Sequence, residues 1–272
     1  MDCLDAIIEG IRNAESITDN KKSILINFAE EVNCSKIRFD LEFILKNYRY
    51  ISNNSAERLA LLDSRHQQEK ASRIVETLPT VLNYSLKRTE SIYALLDSRH
   101  QQEETNRIVE KLPAVLGCSL ARTESIYALL DSRHQQEEAS RIVEKLPTVL
   151  SCSLKRTKSI YALLDSRHQQ EKASRIVETL PAVLSYSLKR TKLNYQYLEE
   201  KDIDANGYVE MSPYLLYFSP DFIKNNQLGE LLEITRKFEE KRDHKELPSE
   251  IRFDDGSVSR FDRYSFNNHC FD

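Results

Sequence analysis

Lysine and arginine recur at fixed positions along the middle of the chain, where a block of 34 residues is repeated almost letter for letter. One position holds Arg88, Arg122, Arg156 and Arg190, and the position before it holds Lys87, Ala121, Lys155 and Lys189. Cationic side chains in register at ~10 Å, the usual spacing of packed helices, could follow the phosphates of a polyanionic backbone. The competing interpretation is a solvated helix face, with i,i+3 pairs such as Lys87 with Glu90.

The positive charge of this row increases along the chain. Glu90 and Glu124 of the first two copies are replaced by Lys158 and Lys192 in the third and fourth copies. A second row holds Arg73, Arg107, Arg141 and Arg175, each preceded four residues earlier by a glutamate (Glu69, Glu103, Glu137 and Glu171). Because glutamate and arginine at this spacing pair along a helix, the second row is a weaker candidate for phosphate contact.

Each copy also carries an Asp-Ser-Arg-His run, which contains the residue types of hydrolytic and metal sites. The histidines are His66, His100, His134 and His168. Equivalent residues one helix spacing apart cannot share a metal ion that needs ligands at ~2 Å. Adjacent residues cannot adopt catalytic-triad geometry either. The run therefore indicates a loop function rather than catalysis or metal binding.

The segment 202–210 resembles the first nine positions of an EF-hand calcium loop, with Asp202, Asp204 and Asn206 as candidate ligands. The twelfth position should be a bidentate glutamate, but it is Pro213. We therefore interpret the segment as a polar loop between helices and expect no metal and no cofactor. Calcium-regulated binding is a third functional hypothesis that depends only on these residues.

Apolar spacing predicts the elements that position the charged rows. Ala71, Ile74, Val75 and Leu78 form one helical stripe, and Pro79 ends that helix because the residue before proline avoids the α region. Residues 80–82 should form a tight 3₁₀ turn, followed by a second helix with Ser85 as its N-cap. The same pattern returns at Pro113, Pro147 and Pro181 and, more faintly, at Pro213.

A fixed period of this size indicates units that cover one another's apolar faces. The sequence therefore predicts an all-α fold, a curved α-solenoid superhelix of helix–turn–helix repeats with short 3₁₀ turns. We expect an N-terminal helical cap at 1–34, a repeat array at 35–240 and an acidic, loosely structured tail at 241–272.

Composition narrows the class of protein further. Among 272 residues there are only 5 Gly and 7 Pro, which argues against a turn-rich β fold. Five cysteines, two of them at a repeat position shared with tyrosine, indicate reduced packing residues in an intracellular compartment. The N-terminal sequence resembles neither a transit peptide nor a membrane anchor, so we expect a bacterial-type cytoplasmic protein rather than one of an organelle matrix.

The segment Leu-Pro-Thr-Val-Leu-Asn-Tyr-Ser-Leu-Lys-Arg at 78–88, with Ile92 and Leu96 after it, resembles the repeat of the mitochondrial transcription termination factor (mTERF) family, and so does the segment 212–219. The chain departs from the family pattern at Thr89, where leucine is frequent, and in the near-identity of its four central repeats. The resemblance implies a curved α-solenoid whose basic groove holds double-stranded nucleic acid with little reading of the base sequence.

These observations predict a non-enzymatic, monomeric nucleic-acid-binding protein that contacts the backbone of double-stranded DNA or RNA. The resemblance further implies a role in transcription termination or regulation. The alternative is a scaffold that binds a protein partner on the same repeats. The modest charge of residues 63–198, with 21 Lys and Arg against 16 Asp and Glu, favours the scaffold, whereas the rows of cations favour nucleic acid.

Overall fold

The computed structural model describes residues 3–33, 39–201, 204–241, 250–252 and 258–260, which contain fifteen α-helices, five 3₁₀ helices and two short strands. The first four helices are α1 (Cys3–Asn13), α2 (Asp19–Asn33), α3 (Leu41–Asn47) and α4 (Ser55–Arg65). The chain after the repeats forms α15 (Leu228–Lys241) and an antiparallel hairpin of β1 (Glu250–Arg252) and β2 (Val258–Arg260), with Ile251 opposite Ser259.

Between these ends, five repeats share one order of elements: a first helix, a 3₁₀ helix and a second helix. The first helices are α5 (Gln68–Thr77), α7 (Gln102–Lys111), α9 (Gln136–Lys145), α11 (Gln170–Thr179) and α13 (Ala205–Met211). The 3₁₀ helices are η1 (Pro79–Asn83), η2 (Pro113–Gly117), η3 (Pro147–Ser151), η4 (Pro181–Ser185) and η5 (Pro213–Tyr217). The second helices are α6 (Leu86–Asp97), α8 (Leu120–Asp131), α10 (Leu154–Arg167), α12 (Leu188–Glu200) and α14 (Pro220–Asn225).

Proline ends each first helix and starts each 3₁₀ helix, as the sequence predicts. Leu78 leaves the helical region with φ −138° and ψ 77°, and Pro79 follows as the first residue of η1. A proline fits there because the first residue of a helix needs no intrahelical N–H bond. Val81 and Leu82 are then buried, so each 3₁₀ helix contributes to the core of its repeat.

Serine and threonine fix the start of each second helix. The hydroxyl oxygens of Ser153 and Ser187 accept hydrogen bonds from the backbone N–H groups of Arg156 and Arg190, whereas Ser85 holds the N-cap position without a side-chain bond. The threonine at the position of Thr89 is buried in all four central repeats. In three of them, at Thr123, Thr157 and Thr191, its hydroxyl donates to the carbonyl of the N-cap serine four residues earlier. The buried hydroxyl is thereby satisfied in these three repeats, whereas that of Thr89 has no hydrogen-bond partner.

Equivalent elements stack on one another within each of two compact units, Met1–Ser125 and Ile126–Asp272. In the first unit α5 packs on α7 and η1 on η2. In the second unit α9, α11 and α13 pack in sequence, as do η3, η4 and η5, and α10 packs on α12. The predicted all-α solenoid of repeats is therefore confirmed. The predicted limits of the cap, array and tail stay a prediction.

Candidate nucleic-acid interface

All nine predicted contact residues lie in the first turn and a half of the second helices. Lys155, Arg156 and Lys158 are the second, third and fifth residues of α10, and Lys189, Arg190 and Lys192 hold the same places in α12. Lys87 and Arg88 begin α6 in the same way, and Arg122 is the third residue of α8. The five lysines and Arg88 are exposed, whereas Arg122, Arg156 and Arg190 are half-buried.

The N-terminal turns of the second helices differ in charge from those of the first helices. The first turns of α6, α8, α10 and α12 contain no acidic residue, whereas those of α5, α7, α9 and α11 each contain glutamate. The N-terminal end of a helix carries a partial positive charge, so a cation there is unfavourable by ~0.3–1 kcal/mol. An anion bound at the same place would reverse the sign of this interaction.

The lysines at these positions have no internal partner. Within the described part of the chain, Lys87, Lys155, Lys158, Lys189 and Lys192 make no side-chain hydrogen bond or ion pair. The expected Lys87–Glu90 pair is therefore not formed, and the choice between phosphate contact and a solvated helix face stays a prediction.

Three of the four arginines in the second row, by contrast, are paired along their helices, whereas Arg73 is exposed and makes no such pair among the described residues. Arg107 contacts Glu104 at 2.6 Å and Glu103 at 4.0 Å, and Arg175 contacts Glu171 at 2.7 Å. Arg141 pairs with Glu138 rather than with the expected Glu137, because the i,i+3 residue also lies on its face of the helix. These exposed pairs contribute ~0–1 kcal/mol each, but they reduce the cationic field of this row.

Arg190 has a structural role that the sequence did not reveal. Its guanidinium donates to the carbonyl oxygens of Tyr217 and Phe218, the latter at 3.2 Å, and lies 4.3 Å from the centre of the Tyr186 ring. It therefore satisfies carbonyls at the end of η5. The row is thus not a set of four equivalent free arginines, and Lys189 and Lys192 are the exposed cations of α12.

In the repeats at the two ends of the array, another polar side chain donates to backbone carbonyl oxygens in or just after a 3₁₀ helix. Asn194 donates to Leu216 and Phe218 at 3.1 and 3.0 Å, and Arg58, at the equivalent position of α4, donates to Leu82 at 3.1 Å and to Tyr84. The repeats between them have isoleucine at this position. A polar residue in place of this isoleucine is the sequence feature from which the hydrogen bonds to the carbonyls could have been predicted.

The predicted loop histidines fasten successive repeats to one another. In each of three resolved networks, which we term histidine clamps, a buried histidine contacts a tyrosine hydroxyl through Nε2 and a glutamate through Nδ1. The clamps are His66–Tyr93–Glu110, His134–Tyr161–Glu178 and His168–Tyr195–Glu210, with Nε2–oxygen distances of 2.8, 2.8 and 2.7 Å and Nδ1–oxygen distances of 3.2, 2.8 and 2.9 Å. Each clamp joins the end of one repeat to the second helix of the next repeat and the first helix of the repeat after it.

The protonation of a clamp follows from its partners. A carboxylate can only accept, so Nδ1 carries the proton, and in the neutral ring Nε2 accepts from the tyrosine O–H. Burial lowers the pKa of His66, although the nearby Glu110 opposes this shift. Burial also raises the pKa of Tyr93, which keeps its hydroxyl protonated as a donor.

An arginine covers the tyrosine of each clamp. Arg65 lies 4.5 Å from the centre of the Tyr93 ring and donates to both oxygens of Asp97 at 2.7 and 2.8 Å. The equivalent contacts are Arg133 with Tyr161 and Asp165, and Arg167 with Tyr195 and Glu199. The arginine and histidine of the Asp-Ser-Arg-His run, and the aspartate of the following run at Asp97 and Asp165, are therefore used for packing between repeats, whereas the serine donates to the carbonyl oxygen three residues before it.

The calcium-loop segment provides little support for a metal site. The carboxylate of Asp204 accepts from the N–H of Gly207 at 3.0 Å and caps α13, and Pro213 starts η5. Asp202 lies outside the described residues, and Asn206 is half-buried. Among the residues that the structure describes, no three His, Cys, Asp or Glu side chains are grouped so that they could hold a metal ion. No helix in the same residues is long and apolar enough to cross a membrane.

Removing the tyrosine hydroxyl of a clamp should destabilise the fold. Tyr161→Phe leaves Nε2 of the buried His134 without a partner, and we expect a loss of about 1–3 kcal/mol in the free energy of unfolding, measured by urea denaturation. Tyr50→Phe is the control, because Tyr50 is exposed and its change should stay within about 0.5 kcal/mol. Equal effects of the two substitutions would contradict the role of the clamp.

The lowered pKa of His66 predicts a dependence of stability on pH. Because the unfolded histidine binds a proton at a higher pH than the folded one, stability is complete above about pH 6.5 and is lost as the pH falls below it, by up to about 1.4 kcal/mol per pH unit. Urea denaturation at pH 7.5, 6.5 and 5.5 should show this loss, and His66→Asn should reduce its slope. An unchanged slope in the variant, or an NMR titration that places the ring pKa at or above 6.5, would count against this account.

The comparisons with known proteins agree with this architecture. No curated protein matches the chain significantly. The sequence profile of the mTERF family matches residues 44–219, about two thirds of the chain, and this segment contains all four central repeats with their 3₁₀ helices and clamps. The chain therefore belongs to the mTERF family.

Proposed function

We propose that the chain binds double-stranded nucleic acid through the phosphate backbone, using the basic first turns of its second helices. The observation that carries the proposal is the row of exposed lysines without internal partners at Lys87, Lys155, Lys158, Lys189 and Lys192. Unpaired cations at helix N-termini are unfavourable in the free protein and become favourable when phosphate is bound. Membership of the mTERF family, whose members generally bind nucleic acids, supports the same function.

The proposed contacts are to phosphate and not to bases. Lysine ammonium groups at equivalent positions of adjacent helices, as in α10 and α12, suit the repeating charge of a backbone, and phosphate contacts position a protein without reading the sequence. The tyrosines of the clamps are unsuited to base stacking, because their rings are buried between repeats and covered by arginine. DNA and RNA duplexes are both compatible with these contacts.

We propose a binding function rather than an enzymatic one. The side chains most suited to acid–base chemistry, His66, His134 and His168, are buried, with both ring nitrogens occupied in the clamps. A protein held on duplex DNA could regulate or terminate transcription by obstructing a polymerase, as the family resemblance implies. An elongation assay on a template with bound protein would test this consequence.

Removing the unpaired lysines should weaken binding to every duplex sequence. For the variant Lys155→Gln, Lys158→Gln, Lys189→Gln, Lys192→Gln, we expect the slope of log affinity against log salt concentration to become shallower by about three to four, because four phosphate contacts are lost. Fluorescence anisotropy with labelled DNA and RNA duplexes measures both affinity and slope.

The matched control removes the same charge from the first helices, with Arg73, Arg107, Arg141 and Arg175 changed to glutamine. Its affinity should decrease less and its slope should stay close to that of the wild type. Equal losses in the two variants would show that only net charge matters. Negligible binding by the wild-type protein at low salt would reject the proposed function and favour the protein-binding scaffold.

A further inference from the structure

The first five residues of the second helices differ in charge although the repeats are nearly identical. In α6, Lys87 and Arg88 face one acid, Glu90, and in α8 Arg122 is balanced by Glu124. In α10 and α12 the equivalent positions are all cationic, with Lys158 and Lys192 in place of the glutamates. The four helix starts therefore carry net charges of about +1, 0, +3 and +3.

The helices of the same type outside the four central repeats, α14 and α4, do not extend the basic surface of α10 and α12. The first turn of α14 contains Asp221 at the place that Lys189 has in α12, and this acid balances Lys224 at the place of Lys192. At the other end of the array, the first turn of α4 contains Glu57. The strongly basic surface is thus limited to two adjacent helices, α10 and α12, which pack against each other within the second compact unit.

The residues that make the difference are on the surface. Lys158 and Lys192 are exposed, as are Glu90 and Glu124 at the equivalent positions of α6 and α8. An exposed carboxylate beside a bound phosphate is repulsive, so the glutamates weaken the phosphate contacts that Lys87, Arg88 and Arg122 could make. The change from glutamate to lysine at this position, together with Ala121 in place of a lysine in α8, therefore separates weakly charged helix starts from strongly basic ones.

We infer that the nucleic-acid contact is confined to α10 and α12, and that the first turns of α6 and α8 do not contribute to it. This inference rests on the proposed function and specifies its location. The partner is a duplex backbone, held by Lys155, Lys158, Lys189 and Lys192 with Arg156. Two helix starts one helix spacing apart, ~10 Å, span about three base pairs at 3.4 Å each, so the contact is short.

The repeats offer a matched test, because the same two residues occur at the same position in α6 and α10. We compare Lys87→Gln/Arg88→Gln with Lys155→Gln/Arg156→Gln in the full chain, by anisotropy with a labelled 20-base-pair DNA duplex over a range of salt concentrations. The change in α10 should reduce affinity by on the order of tenfold and make the salt slope shallower by about two. The change in α6 should alter affinity less than threefold and leave the slope unchanged.

A second variant transfers positive charge from the starts of α10 and α12 to those of α6 and α8, without changing the net charge of the protein. Glu90→Lys and Glu124→Lys are combined with Lys158→Glu and Lys192→Glu, and circular dichroism checks the fold. In this background, Lys87→Gln/Arg88→Gln should now cause the larger loss of affinity. Equal sensitivity of α6 and α10 in the wild-type background would overturn the confinement while leaving the proposed function intact. Absence of duplex binding by the wild-type protein would instead reject the proposed function itself.

Discussion

A buried imidazole hydrogen-bonded through both ring nitrogens is the interaction on which the register of the repeats depends. Each histidine clamp needs a tyrosine hydroxyl from one repeat and a carboxylate from the next, both directed at a ring that solvent does not reach. Apolar packing between helices is tolerant of small sliding movements, whereas a buried hydrogen-bonded ring is not, because an unmatched polar group in the interior is costly. The clamps therefore set the alignment that brings identical positions of successive repeats next to each other.

This alignment has an electrostatic consequence. The first helices begin with glutamates, and the second helices begin with lysines and arginines. Stacking in register therefore places like charges of successive repeats next to each other. The first helices relieve the repulsion by pairs along each helix, such as Arg175 with Glu171. The second helices of the later repeats have no such relief at Lys158 and Lys192. This unrelieved charge is what the proposed phosphate contact would neutralise.

The fold was largely predictable from the sequence because its determinants are local. The stripe through Ile74 and Val75, the proline that follows Leu78 and the period of 34 residues indicate helices, breaks and stacking without any knowledge of distant contacts. The position of the cationic rows at the helix starts followed from the same pattern.

The functions of individual polar side chains were not predictable, because their partners are far away in the sequence. His134 contacts residues 27 and 44 positions later, and this pairing is apparent only once the repeats are stacked. Arg190 was expected to be a free cation like its equivalents, but the carbonyls of Tyr217 and Phe218 in the divergent last repeat engage it. Periodicity shows which positions are equivalent. It does not show that their surroundings are the same, because residues next to a divergent end repeat make different contacts.

The constant sequence offsets within the clamps make the repeats interchangeable. His66 and His134 reach their glutamates over 44 residues, and His168 does so over 42 because the last repeat is two residues shorter. A chain that gained or lost one whole 34-residue copy would keep every donor opposite its acceptor. The length of the array is therefore not fixed by these contacts, and each copy carries its own set of surface charges into whatever position it occupies.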